Sequence, residues 1–250
     1  MSYRAVLFDL FDTLVWFDRD RLPEVRVDGK VIRSTAGHLH RALRPFAPAV
    51  ELAPFVEALT WSWHEAERIR RDTHREVAAP ERLRFLIERL GLEPETLARE
   101  AVPALLDTHM RELSRAVVFP AHHAPLLNEL RRHFQLAVVS NFDYTPTAMG
   151  ILEREGIAHL FETIVVSDEV GWRKPLPVIF EIALRRLGVS ASEAVYVGDR
   201  ADLDVAGAQG IGMHAVWINR DASPLPEGAR PPEFEIRDLA ELVHILGIRT

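Results

Sequence analysis

Short apolar segments alternate with segments of helical period along the second half of this chain, and this alternation constrains the fold more than any other feature. The apolar segments are rich in valine, isoleucine and alanine and are too short to be helices. Strands joined by helices form a parallel sheet with right-handed crossovers. The strands are predicted at 136–140, 163–167, 194–199 and 213–218, and the helices before and between them at 124–133, 147–155, 177–187 and 201–209.

The segment Ala5–Phe8 has the same apolar character and runs directly into Asp9. A run this apolar is typical of a strand buried on both faces of a parallel sheet, so we predict that it joins the later strands in one sheet. Ligands bind in the crevice outside the carboxyl ends of such strands. Asp9 is therefore a candidate for chemistry. The alternative is a turn-forming aspartate that only ends the strand.

Residues 16–118 lie between the first strand and the others and have a different pattern. Asp28-Gly29 supplies the positive φ angles of a tight turn between two alternating arms, which predicts a β-hairpin over 25–32. Apolar residues then recur at helical spacing as far as residue 113, and Gly91 is predicted to end one of these helices. We therefore predict an α/β chain in which a mainly helical block is inserted after the first strand.

The composition excludes several classes of function. The chain has 250 residues, a net charge of −7 and no cysteine. It has no overall positive field to attract nucleic acid or an anionic membrane, and it has no disulfide, thiolate metal site or cysteine nucleophile. Its first residues lack the pattern of a signal peptide, and no apolar run approaches the ~18 residues of a membrane span. We expect a cytoplasmic protein that binds neither nucleic acid nor membrane.

Polar residues follow the ends of the predicted strands, where a core would not select them. Because the carboxyl ends of parallel strands meet at one edge of a sheet, these residues are expected to converge. Two carboxylates about 5 Å apart repel each other by roughly 3 kcal/mol at an effective dielectric constant near 20, so a carboxylate cluster needs a cation such as Mg²⁺. The residues are Asp9 with Thr13, Ser140 with Asn141, Lys174, and Asp199 with Asp204.

Each of these residues has a structural alternative when it is considered alone. Ser140 and Asn141 are residue types that cap a following turn. Lys174 could be a solvated loop lysine, and Asp204 could be an acidic residue near a helix terminus.

Together the residues resemble the four motifs of the haloacid dehalogenase-like hydrolase superfamily, in the same order. The motifs are Asp9-x-x-x-Thr13, Ser140 at a strand end, Lys174-Pro175, and Gly198-Asp199-x4-Asp204. The resemblance covers nearly the whole chain. It implies an α/β fold with a Rossmann-like, doubly wound parallel sheet formed by residues 1–15 and 119–250. It also implies that residues 16–118 form a flap hairpin and a mainly α-helical cap domain.

The resemblance also implies catalytic roles. Asp9 would be the nucleophile and would form a covalent aspartyl intermediate that water hydrolyses. Thr13 and Ser140 would hold the oxygen atoms of the transferred group, with Asn141 beside Ser140 as a further catalytic-site residue. Lys174 would neutralise charge on that group and on Asp9.

The same resemblance implies that Mg²⁺ is held by Asp9, Asp199, Asp204 and the main-chain carbonyl of Phe11. Phe11 is also a departure from the pattern. Phosphatases of the superfamily have a second aspartate at this position, which protonates the leaving alcohol. Asp12 is a possible substitute, but one residue further along an extended chain its side chain points the other way.

Three functions remain open. The pair Asp199 and Asp204 favours a Mg²⁺-dependent phosphohydrolase that acts on a small phosphorylated metabolite, because clustered carboxylates without a cation are costly. Such an enzyme would need good leaving groups or an acid from the cap. Phe11 favours a metal-free 2-haloacid dehalogenase, because a halide leaves without a proton. The third function is a catalytically weak binding or regulatory relative, and for each we expect a monomer or homodimer.

We expect the cap to select the substrate. Residues 68–75 contain four arginines and His74, and Trp61 and Trp63 lie just before them. These residues could face an anionic, ring-containing substrate. The alternative is a solvated basic helix face with the tryptophans in the core.

Overall fold

The computed structural model describes residues 3–92 and 94–248, and of residues 94–98 only the backbone is described. The strands are β1 (Ala5–Phe8), β2 (Trp16–Phe17), β3 (Glu24–Val27), β4 (Lys30–Arg33), β5 (Val117–Val118), β6 (Gln135–Ser140), β7 (Thr163–Val166), β8 (Ala194–Gly198), β9 (His214–Ile218) and β10 (Phe234–Ile236). The α-helices are α1 (Ala36–Leu43), α2 (Leu52–Thr73), α3 (Ala79–Arg89), α4 (Pro94–Arg115), α5 (His123–Arg131), α6 (Thr145–Arg154), α7 (Ser167–Val170), α8 (Pro177–Leu187), α9 (Ala206–Gly210) and α10 (Leu242–Ile245). The chain divides into two compact units: unit 1 contains residues 1–16 and 119–250, and unit 2 contains residues 17–118.

Unit 1 is built on a parallel sheet, and among the described residues this sheet has six strands. Their order is β10-β9-β8-β1-β6-β7. β1 lies between β8 and β6, and Phe8 pairs with Val197 on one side and with Val138 on the other. All four residues of β1 are buried, as expected for a strand covered on both faces. The predicted α/β fold with a parallel sheet is confirmed.

Side chains at alternate positions of these strands share one face of the sheet and form its core. Leu7, Val139 and Tyr196 belong to a cluster that also includes Ile179 and Phe180 of α8. Burying an aliphatic or aromatic side chain of this size stabilises the fold by about 1.5–3 kcal/mol. This packed core stabilises the strands whose carboxyl ends form the edge of the sheet.

In the described part of unit 2, the predicted hairpin is followed by the α-helices α1 to α4. β3 and β4 pair antiparallel, and Asp28 and Gly29 between them have φ angles of 48° and 76°, so the hairpin is confirmed. Helices α1 to α4 pack around buried apolar side chains such as Leu39, Phe55 and Leu86. Within the described part of the chain, no helix is both long enough and apolar enough to cross a membrane.

The segment after β8 differs from its prediction. A single helix was expected over 201–209, but Ala201–Val205 forms a π-helical turn and α9 begins only at Ala206. The main-chain N–H groups of Asp204 and Val205 both donate to the carbonyl of Arg200. This wider turn directs the Asp204 carboxylate back toward Gly198, and π-helical turns are frequent at functional sites.

Candidate active site

Three neighbouring strands of unit 1 bring polar residues to one edge of the sheet. Asp9 directly follows β1, Ser140 is the last residue of β6, and Asp199 directly follows β8. The main-chain N–H of Asp9 donates to the carbonyl of Val197 on β8, so the parallel register continues past the end of β1. The carboxyl ends of these strands therefore meet where ligands bind in sheets of this kind.

Lys174 reaches this edge from the loop before α8, and it is 2% exposed. Its Nζ atom lies 2.8 Å from Oδ1 of Asp9 and 2.7 Å from Oδ1 of Asp204. Burial opposes the charged form, but the carboxylates of Asp204 and Asp9 outweigh burial and raise the pKa of Lys174. A buried ammonium group thus bridges two of the predicted site carboxylates.

The three predicted carboxylates lie together. Asp9, Asp199 and Asp204 each offer an oxygen atom within 4.8 Å of the others. Burial raises the pKa of Asp9 to about 6 despite the ammonium of Lys174. Burial, together with repulsion from Asp9 and Asp204, raises the pKa of Asp199 to about 8. The negative charges of these carboxylates repel one another, and their oxygen atoms are the ligands that a hard divalent cation prefers.

Two buried hydroxyl groups near the ends of β1 and β6 lack partners among the described residues. Thr13 and Ser140 are both fully buried, and neither hydroxyl oxygen has a hydrogen-bond partner among the described residues. A buried polar group without a partner costs about 1–3 kcal/mol. Such groups at the end of β6 and in the turn after β1 are therefore candidates to bind a ligand.

The side chain of Phe11 packs against an aromatic neighbour. Its ring centroid lies 4.8 Å from that of Phe142, in the loop after β6. The position at which the resemblance implies an acid in phosphatases is therefore part of an aromatic pair.

Asp12 does not have the extended geometry that would point it away from the site. Its φ angle is 56°, in the left-handed region, and it lines the same cavity as Asp199. The expectation that Asp12 points the other way is therefore wrong, because the chain turns at this residue.

The cavity has a volume of about 290 Å³ and lies within unit 1. Its lining residues are Asp12, Asp199, Trp217, Ile218, Asn219, Arg220, Asp221 and Ser223.

Asn141 contacts the main chain of Lys174. Its Oδ1 accepts from the Lys174 N–H at 2.8 Å, and its Nδ2 donates to the Lys174 carbonyl at 3.2 Å. This pair of hydrogen bonds holds the loop that carries the lysine. The side chain of Asn141 is thus bonded to the main chain of Lys174, whereas Ser140 is the last residue of β6.

The turn after β8 depends on Gly198 and Trp217. A Cβ atom on Gly198 would lie 2.4 Å from Cγ of Asp204, so only glycine leaves room for this carboxylate. Oδ2 of Asp204 accepts from the N–H of Arg200 at 2.9 Å. Nε1 of Trp217 on β9 donates to the carbonyl of Asp199 at 2.8 Å. Trp217 had no predicted role, because its contact depends on the pairing of β8 with β9.

Tyr196 was also missed by the sequence analysis. It lies in the middle of β8 and is fully buried, and its hydroxyl group is 2.8 Å from Nζ of Lys174. A signal was available in the sequence, because this tyrosine is the one hydroxyl-bearing residue in the apolar strand Ala194–Gly198.

The four arginines between residues 68 and 75 are paired with acids inside unit 2. Arg70 is buried against Glu67 and Glu76, Arg68 bonds to Glu65, and Arg75 bonds to Glu81; Arg71 contacts Asp72. This pairing compensates most of the charge and favours the structural alternative for the arginines. The tryptophans do not fit that alternative, because Trp61 is 38% exposed and Trp63 is 50% exposed.

A second group of potential metal ligands lies in unit 1. His122, His123 and Asp238 offer ligand atoms within 4.8 Å of one another. Nε2 of His122 contacts the Asp238 carboxylate at 3.0 Å, and Nδ1 of His123 donates to the carbonyl of Leu14 at 2.9 Å. These contacts connect α5 to the C-terminal segment and to the turn after β1.

Comparison with known proteins gives consistent matches. A family model described as haloacid dehalogenase-like hydrolase matches residues 3–212. Glyceraldehyde 3-phosphate phosphatase of Methanopyrus kandleri is 39% identical over 173 residues, which cover 67% of this chain and 72% of that protein. Phosphoserine phosphatase of Thermus thermophilus is 34% identical over 197 residues, 76% of this chain and 68% of that protein. Ribulose-1,5-bisphosphate 5-phosphatase of Halopiger xanaduensis is 30% identical over an alignment of 253 positions, gaps included. The alignment covers 97% of this chain and 99% of that protein.

Solved structures match over nearly the full length. A 2-haloacid dehalogenase from Pseudomonas syringae pv. Tomato DC3000 is 26% identical with a TM-score of 0.75, and the match covers 98% of both chains. A phosphatase from Thermococcus onnurineus is also 26% identical, with a TM-score of 0.66 and the same coverage. Because these two proteins are named for different reactions, the likeness in fold does not choose between them.

Proposed function

Because the chain belongs to the haloacid dehalogenase-like hydrolase family, we propose that it is a Mg²⁺-dependent phosphohydrolase that acts on a small phosphorylated metabolite. The observation that carries the proposal is the group of three carboxylates, Asp9, Asp199 and Asp204, at the edge of the sheet. A hydrolase that works without a cation gains nothing from such a group. The phosphatase relatives support the same choice.

In the proposed reaction, Asp9 is the nucleophile. One of its carboxylate oxygens attacks phosphorus, the bond from phosphorus to the leaving oxygen breaks, and an aspartyl phosphate forms. Water then attacks phosphorus, inorganic phosphate is released, and the Asp9 carboxylate is regenerated. Lys174, 2.8 Å from Asp9 Oδ1, favours the ionised form of the nucleophile. The unpartnered hydroxyls of Thr13 and Ser140 would donate to phosphate oxygens.

The donor set fits Mg²⁺. Asp9, Asp199, Asp204 and the main-chain carbonyl of Phe11 would hold the ion, and all four donors are oxygen atoms. Lys174 contacts Asp9 and Asp204, whereas the ion pairs of the described residues include none to Asp199. A bound Mg²⁺ supplies charge neutralisation for the carboxylates and for the transferred phosphoryl group.

Phe11 limits the substrates in this proposal. No acid stands at its position, and general acid–base assistance is typically worth about 10²–10⁴ in rate. We therefore expect good leaving groups to be preferred, unless Asp12 or a residue of unit 2 supplies the proton. In the proposal, residues 1–15 and 119–250 carry the chemistry, and residues 16–118 act as the cap that selects the substrate.

The proposal is tested by measuring inorganic phosphate release from phosphoserine, glyceraldehyde 3-phosphate, ribulose 1,5-bisphosphate and aryl phosphates, with Mg²⁺ and with EDTA. We expect Mg²⁺-dependent release, and we expect Asp9→Asn to lower kcat by at least about 10³-fold. The matched control is Asp202→Asn, because Asp202 lies in the same turn region as Asp204 but is exposed and paired with Arg200. Equal release by wild type and Asp9→Asn would overturn the proposal.

Dehalogenation is a second candidate, favoured by one observation in the structure. Phe11 stands where a phosphatase of this family would have the acid that protonates the leaving group. A halide leaves without a proton and needs no such acid. Halide release from 2-haloacids that is unaffected by EDTA, together with no phosphate release, would establish this alternative.

A further inference from the structure

The ammonium of Lys174 has more acceptors than it has protons. Four oxygen atoms lie within 3.0 Å of its Nζ: Asp9 Oδ1, Asp204 Oδ1, the Val139 carbonyl and the hydroxyl of Tyr196. A lysine has three N–H groups. Three of the four contacts have hydrogen-bond geometry, to Asp9, Val139 and Tyr196, and the short contact with Asp204 is an ion pair.

Tyr196 is held in place to accept from Lys174. Its hydroxyl group donates to the Val139 carbonyl at 2.8 Å, so its oxygen is free to accept the lysine N–H. Its ring is fixed edge-on against Phe180, with a centroid distance of 5.1 Å, and β8 pairs with β1 at Leu7. A buried hydroxyl without a partner is costly, and this one is bonded both to Lys174 and to the Val139 carbonyl that Lys174 also contacts.

We propose that Tyr196 is a positioning residue that acts through Lys174. Its hydroxyl oxygen accepts one of the three lysine N–H groups and thereby fixes Nζ relative to both carboxylates, 2.8 Å from Asp9 Oδ1 and 2.7 Å from Asp204 Oδ1. The ammonium stays between Asp9 and Asp204, so neither carboxylate is drawn away from the group that would hold a cation. The inference rests on the proposed function for its kinetic consequence, but the contact itself does not depend on any substrate.

Tyr196→Phe removes only the hydroxyl group and keeps the packed ring. Without this acceptor the ammonium is expected to move toward Asp204, whose Oδ1 already lies 2.7 Å from Nζ, and away from Asp9. We expect kcat for phosphate release to fall about tenfold and the Kd for Mg²⁺, measured by calorimetry, to rise about tenfold, since one hydrogen bond to a charged group is worth about 1.4 kcal/mol or more. KM is expected to change less than about twofold, because the tyrosine does not touch substrate.

Tyr3→Phe is the matched control. The Tyr3 hydroxyl is bonded to Nδ1 of His214 in the same unit, so the same atom is lost away from Lys174. We expect this variant to keep the wild-type kcat, KM and Mg²⁺ affinity. If Tyr196→Phe keeps the wild-type kcat and Mg²⁺ affinity and loses only stability, Tyr196 is a core residue and the inference is wrong.

A double-mutant cycle tests the contact without any substrate. The urea midpoints of Tyr196→Phe, Lys174→Met and the double variant are compared with wild type. We expect the loss in the double variant to be clearly smaller than the two single losses added together. Additive losses would overturn the inference. If wild type releases no phosphate from any ester, the proposed function fails, whereas this cycle still decides whether Tyr196 acts through Lys174.

Discussion

Phe11 stands one residue before the left-handed turn at Asp12, and its ring lies 4.8 Å from that of Phe142. Edge and face contacts between aromatic rings contribute about 0.5–1.5 kcal/mol beyond the area that they bury. At this position the chain therefore has a stabilising contact between the turn after β1 and the loop after β6. With an acidic side chain in place of Phe11, the protein would lose this ring contact and would have a proton donor at this position.

Phe11→Asp is expected to trade stability for acid catalysis. We expect the variant to cleave alkyl phosphates at least about tenfold faster than wild type, because assistance to a poor leaving group is worth about 10²–10⁴ when the acid is well placed. Rates on aryl phosphates with good leaving groups should change little. The measurement is kcat across a series of leaving-group pKa values, with Phe142→Leu as a control that breaks the ring pair without adding an acid. An unchanged dependence on leaving-group pKa would show that the introduced carboxyl group cannot reach the leaving oxygen.

At the scale of secondary structure elements, the site depends on how the chain leaves β8. Gly198 ends the strand, a π-helical turn follows, and the Asp204 carboxylate approaches the glycine so closely that a Cβ atom would overlap it. The predicted regular helix over 201–209 would place Asp204 differently. The local departure from α-helical geometry is therefore what brings Asp204 to Asp9 and Asp199.

Gly198→Ala is expected to destabilise the protein by about 1–3 kcal/mol, because overpacking next to a buried, bonded carboxylate forces it to move. The Mg²⁺ affinity should fall with it. Gly150→Ala is the control: Gly150 lies inside α6, nothing lies within 4 Å of its added Cβ, and the change should stabilise by up to about 1 kcal/mol. Both values are measured by urea unfolding. Equal stability of the two variants would contradict the crowding described at Gly198.

At the scale of the whole molecule, two compact units are combined in one chain, and the candidate chemistry lies in unit 1. The buried carboxylates of that unit are a cost to its stability in the metal-free protein, because burial raises the pKa values of Asp9 and Asp199. A cation that binds only the folded protein offsets this cost.

Mg²⁺ is therefore expected to stabilise the folded protein. At about 100 times its Kd, a ligand of the folded state adds about 2.7 kcal/mol, which corresponds to a rise in unfolding temperature of about 5–10 °C for a protein of this size. Asp199→Asn should lose most of this rise, and Asp202→Asn should keep it. Differential scanning calorimetry with Mg²⁺ and with EDTA measures the effect. An equal rise in unfolding temperature for wild type and Asp199→Asn would show that Asp199 does not bind the ion.

Most of the fold could be predicted from the sequence, because the burial of β1 and the alternation of strands with helices leave a local pattern of apolar residues. The family resemblance is confirmed by the family model over residues 3–212. The strand ends carrying Asp9, Ser140 and Asp199 followed from the same pattern. The conformation of Asp12 and the π-helical turn at Ala201–Val205 could not be predicted, because they depend on hydrogen bonds and φ angles that leave no period in the sequence.

The sequence by itself determined that a parallel sheet carries these polar residues on its strand ends, since hydrophobic periodicity specifies which residues are buried. Only the tertiary structure decided which atoms meet. It placed the ammonium of Lys174 between Asp9 and Asp204, turned Asn141 onto the Lys174 main chain, and brought the hydroxyl of Tyr196 to the same nitrogen. The physical reason is that these contacts join residues distant in sequence, so they depend on strand order and register.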